Sequence, residues 1–116
     1  MNFRALIEAL SRLLRQDAEF DIFSLKSLQL DMPELCRFLG IVITMYYKDH
    51  APPHFHAKYG EYLMTVEIET GVVNGKFPKR ALRLVMEWSE LHKNELLQDW
   101  ALAMKEVPLK AISPLE

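Results

Sequence analysis

Residues 41–69 read IVITMYYKDHAPPHFHAKYGEYLMTVEIE. Two runs rich in β-branched and aromatic side chains, Ile41–Lys48 and Tyr62–Thr70, flank a turn stiffened by Pro52 and Pro53, and this is strand composition. Phe55–Tyr59 supplies a return strand, and Gly60-Glu61 a tight turn out of it. Period-two alternation sends Ile41, Ile43, Met45 and Tyr47 to one face, together with Phe55, Tyr62, Met64, Val66 and Ile68. Val42, Thr44, Tyr46, Lys48, Leu63, Thr65, Glu67 and Glu69 fall on the other face, beside His54, His56 and Lys58. The stretch predicts an antiparallel meander with one buried and one open face. Gly71 and Gly75 bracket a short further segment, which makes three or four strands.

C-terminal to the meander, Pro78 suits the first turn of a helix. Ala81, Leu84, Val85, Trp88 and Leu91 share one face of it, and His92 follows as a half-buried, satisfied histidine. Leu96, Leu97, Trp100, Ala101 and Met104 lie on a different face, which predicts a kink near His92 or a second packing surface. Glu95 and Asp99 form a polar stripe expected to face solvent. N-terminal to the meander, Phe3, Leu6, Ile7, Leu10, Leu13 and Leu14 recur at helical spacing with Arg4, Glu8, Arg12 and Arg15 between them. Pro33 disfavours helix at Met32. The expected division is residues 1–31, an amphipathic helix and arm, and residues 32–116, the main domain. The fold class is α+β: a small three- to four-stranded antiparallel sheet on a long C-terminal helix, with the N-terminal helix docked on it or on a second subunit.

The chain has 116 residues, half of them apolar and 26% charged, which suits a single globular domain. One cysteine, Cys36, cannot form an internal bridge, so it reads as a small core residue of a reducing compartment. No apolar run reaches the ~20 residues that span a bilayer, and Arg4 and Glu8 interrupt the start where a secretion signal has its apolar run. These features predict a soluble cytoplasmic protein without membrane contact. The net charge of −2 argues against general coating of nucleic acid, but its distribution is uneven. Pro33–Met86 holds seven Lys/Arg against five Asp/Glu, whereas Glu87–Glu106 holds two against five.

Three histidines within Lys48–His56 leave three chemical readings open. His-x-His on a strand projects two imidazoles together, a donor pair for a divalent transition metal, with His50 and Glu61 as the nearest further ligands. Without metal, His54 and His56 suit general base and acid, Lys48 charge stabilisation and Tyr46 proton transfer. The third reading is a stiff loop whose histidines hydrogen-bond around the prolines. Separately, Lys76, Lys79, Arg80 and Arg83 crowd a helix start, where the macrodipole disfavours cations. A phosphate, a nucleic-acid backbone or an acidic partner offsets that cost.

From about Met32 the chain resembles the bacterial family called domain of unknown function 4160. The resemblance rests on MPELCRFLGIVITMYYKDHAPPHFHAKYGEY, with its D-H-x-P-P-H-x-H core at Asp49–His56, and on GKFPKRALRLVMEWSELHKNELLQDW. It implies a link to toxin–antitoxin-like gene pairs, and so a protein partner or regulation more than metabolism. Two functional expectations follow. One is an interaction or regulatory module that binds a small protein partner, another copy, or a nucleic-acid or phosphate ligand. Its interface is Phe3, Leu6, Leu10, Leu13, Leu97, Trp100 and Met104. The other is a small histidine-dependent enzyme, RNA-cleaving or a metal-dependent hydrolase.

Overall fold

The computed structural model describes residues 32–115. Five strands, β1 (Glu34–Phe38), β2 (Ile41–Thr44), β3 (His54–Tyr59), β4 (Tyr62–Glu67) and β5 (Val73–Gly75), form one sheet in the order β1-β2-β3-β4-β5. Every neighbouring pair is antiparallel. Two helices follow, α1 (Lys79–Leu91) and α2 (Lys93–Met104). None of the described helices is long and apolar enough to cross a membrane. The expected amphipathic helix around Phe3, Leu6, Leu10 and Leu13 lies outside the described residues.

Two expectations are corrected. The sheet has five strands, because β1 precedes the meander. Its register shifts between Glu34 and Cys36, so Leu35 and Cys36 are both buried and the alternation that marks a strand is lost. The single long helix is two, broken at His92, where the apolar face changes. Trp88 accepts the His92 N–H at its carbonyl, and the His92 carbonyl accepts the Leu96 N–H.

One sheet face carries the core: Ile41, Ile43, Phe55, Ala57, Met64 and Val66 are buried beneath Ala81, Val85 and Trp88 of α1. Tyr62 departs from its expected set and is half exposed. Gly75 (φ +111°) lets β5 close on β4, since a Cβ there would sit 2.5 Å from the Leu63 carbonyl oxygen. The other face stays open. Its transverse rows, fixed by the register, are Arg37–Val42–Lys58–Leu63 and Thr44–His56–Thr65–Asn74.

After α2 the chain returns as a strap along β1. The Ile112 N–H donates to the Leu35 carbonyl at 2.9 Å, and Trp88 Nε1–H to that of Ser113 at 2.8 Å. Asp99, expected at the surface, is instead buried on the inner face of α2 with Leu96 and Ala103. Its Oδ1 accepts the Lys110 N–H at 2.8 Å, which anchors the strap, while Oδ2 is buried without a partner among the described residues. Burial raises its carboxyl above the ordinary value, and the charge of Glu95 adds to this. The Lys110 N–H and ammonium oppose it. The folded state therefore holds the Asp99 proton more tightly than the unfolded state. Stability is greatest below about pH 4 in this respect and falls as pH rises through the raised value.

Asp99→Asn keeps an oxygen for the Lys110 N–H and removes the buried charge. Relative to the parent, it is expected to gain stability as pH rises from 4 to 8. It should also flatten this part of the pH dependence of urea unfolding. Parallel stability curves for the two proteins from pH 4 to 8 contradict the assignment.

Candidate active site

The nine residues between β2 and β3, Met45–Pro53, leave the sheet and return over α2. The Lys48 N–H, on a residue with left-handed φ of +52°, donates to the Ala103 carbonyl at 3.2 Å. The Ile68 N–H donates to the Pro53 carbonyl at 3.0 Å. Pinned at both ends, this loop brings Asp49 against the first turn of β3. Asp49 Oδ2 lies 2.9 Å from His54 Nε2 and 3.5 Å from His56 Nε2. The three side chains are 13%, 11% and 25% exposed, so the cluster is sheltered yet open on one side. Their donor atoms all lie within 4.8 Å of one another.

Aromatic rings fix the imidazoles. Tyr46 stacks on His56 with ring centres 4.3 Å apart, and Trp100 of α2 packs against His54 at 5.3 Å. His54 Nδ1 is 2.8 Å from the Pro52 carbonyl oxygen, and Asp49 Oδ1 accepts the His50 N–H at 2.8 Å. Burial acts to raise the Asp49 carboxyl, but the His50 N–H, the His54 charge and the bonds to His56 and His54 outweigh it and hold it below its ordinary value. Burial, with the His54 charge, holds the His56 imidazole below its ordinary value against the opposing hydrogen bond and charge of Asp49. The result is an ionised carboxylate facing a histidine that is neutral at neutral pH.

Other residues singled out in the sequence fall elsewhere. The side chain of His50 is 89% exposed, lies 3.1 Å from Asp49 Oδ1 and tilts against the His54 ring at 5.9 Å, but its nitrogens do not join the cluster. Glu61 is in the β3–β4 turn, about 16 Å along the strand from His54, and does not join the cluster. His92 packs on Trp88 and hydrogen-bonds Glu95. Lys79, Arg80 and Arg83 are exposed on α1, which has no acidic residue in its first turn and no side-chain cap. Lys76 directly follows β5, its N–H bonded to the Leu63 carbonyl beside the Lys58 row. Leu97 and Trp100 are partly buried against the domain's own core, and Met104 is half-buried. Asp49, the hub, was not among the candidate ligands. Its signal was present, an acidic residue five positions before His54 across a proline turn.

An α+β domain with one open sheet face and an Asp–His–His cluster at its rim is the class that fold and site define. The model of the family described as domain of unknown function 4160 (DUF4160) matches residues 40–101, from β2 through most of α2 and including the whole cluster. The chain belongs to that family. No curated protein and no solved structure matches it.

Proposed function

We propose that this domain is a small histidine-dependent hydrolase that cleaves phosphodiester bonds of single-stranded nucleic acid on the open sheet face. The observation that carries the reading is the convergence of Asp49, His54 and His56 on one sheltered point at the rim of that face. A solvated turn has no need of three ionisable groups held together by a pinned loop and two aromatic rings. The adjoining row supplies cations for an anionic backbone: Lys58 lies in it and Lys76 follows at its end, while Arg37 in the same row is paired with Glu34. Tyr46, 38% exposed, offers a ring face beside His56 on which a base can stack. In the reaction a water oxygen forms a new P–O bond, the P–O bond to the leaving oxygen breaks, and that oxygen takes up a proton. The Asp49 cluster activates the water, and Lys58 neutralises backbone charge. An RNA-cleaving protein also fits the toxin–antitoxin-like expectation, with a small protein partner to restrain it.

A second reading, a partner-binding module without chemistry, draws on exposed Leu63 at 61% and Tyr62 at 49%. Labelled single-stranded RNA and DNA separate the two. The full chain is expected to cleave at least one of them, and Lys58→Glu to raise KM while reducing the salt slope of binding by about one counterion. Intact strands after incubation with the full chain, with or without added zinc, overturn the hydrolase reading.

A further inference from the structure

We propose that Asp49, His54 and His56 bind one divalent transition-metal ion of the zinc class through Oδ2, Nε2 and Nε2, with the remaining coordination positions open to water and substrate. The proposal deepens the hydrolytic reading of the same cluster. It starts from the hydrogen-bond chemistry of His54. The Pro52 carbonyl oxygen can only accept, so His54 Nδ1, 2.8 Å away, carries a proton. In the neutral ring Nε2 then presents a lone pair, and 2.9 Å from it lies Asp49 Oδ2, also an acceptor. His56 Nε2 approaches the same oxygen at 3.5 Å. The lone pairs of His54 Nε2 and Asp49 Oδ2, pointed at one another, repel unless a cation lies between them, and His56 Nε2 is a third donor to that cation when its own proton sits on Nδ1. That cation is either a proton, which makes His54 an imidazolium, or a metal.

The geometry points to the metal. Zinc binds imidazole nitrogen and carboxylate oxygen at about 2.0–2.2 Å, so its ligand atoms are about 2.9 Å apart in octahedral and about 3.4 Å apart in tetrahedral coordination. The two observed separations match this range. A proton needs only one close pair, and the convergence of His56 on the same oxygen goes beyond that. The supporting bonds are also those of a metal site. His54 donates its far N–H to a backbone carbonyl, which fixes the tautomer, and Asp49 is oriented by a bond to its other oxygen from the His50 N–H. Two imidazoles with one carboxylate select zinc, iron, nickel or copper over calcium or magnesium, which prefer oxygen donors. Three protein ligands leave sites for water, and a bound metal lowers the pKa of that water, supplying the nucleophile at neutral pH.

The test uses the full chain, freed of metal, titrated with Co²⁺ and then Zn²⁺. One Co²⁺ per chain is expected, with ligand-field absorption that Zn²⁺ abolishes. Asp49→Asn and His56→Gln should each weaken binding by at least roughly a hundredfold. The His56 change spares the packing of His54 on Trp100, so one of the variants keeps that contact. Glu61→Gln, at the far turn, should bind as the parent does. No Co²⁺ binding at micromolar concentration, or undiminished binding by the folded His56→Gln and Asp49→Asn variants, overturns the metal site and leaves an imidazolium–carboxylate pair. Ligand-dependent binding without strand cleavage supports the metal site and overturns the hydrolase. Cleavage that persists undiminished in excess chelator does the reverse.

Discussion

Trp88→Ala is expected to destabilise the domain by about 3–5 kcal/mol. Trp88 is fully buried, meets Phe55 edge-to-face at 5.7 Å and lies 6.0 Å from Phe38, and its indole N–H holds the Ser113 carbonyl. Alanine leaves a cavity where sheet, α1 and strap meet and removes the bond that fastens the strap. A domain of this size has roughly 5–10 kcal/mol in total, and each kcal/mol moves Tm by about 4–8 °C. Thermal unfolding should therefore move down by roughly 15–30 °C. Trp88→Phe, which keeps most of the ring volume, should lose less than half as much. A shift of only a few degrees for the alanine variant places the core elsewhere.

Asp49→Asn is expected to lower strand cleavage by about 10²–10⁴-fold while the protein remains folded. Asparagine keeps the size of the side chain and an oxygen for the His50 N–H. It loses the anionic oxygen on which His54 and His56 converge. Asp49 contributes little to the core, so Tm should move far less than in Trp88→Ala. A cleavage rate unchanged in the folded variant shows that the carboxylate takes no part.

The two sheet faces were legible because β2 alternates throughout and β4 from Leu63 onward, and the burial of Ile41, Ile43, Met64 and Val66 follows that pattern. β1 was not, since its bulge turns Leu35 and Cys36 inward together. The helix break at His92 could be seen in the change of apolar face, but the inner stripe of α2 could not. That stripe is Leu96, Asp99 and Ala103, and a carboxylate in its middle reads as a surface residue until the Lys110 N–H is placed beside it. Nor could the sequence show that Trp100 packs on His54. For the site, strand alternation paired His54 with His56 correctly. The path of Met45–Pro53, set by contacts to α2 and β4 distant in sequence, decided that Asp49 joins them and Glu61 does not.

The claim that the open sheet face and its Asp–His–His rim form the working surface is tested most directly by amide chemical-shift mapping. The full chain would be titrated with a short, cleavage-resistant phosphorothioate oligonucleotide. The largest changes should fall at Thr44, Asp49, His54, His56, Lys58 and Thr65, with Arg80 and Arg83 silent. Changes confined to Lys79–Arg83, or none at saturating oligonucleotide, contradict the claim.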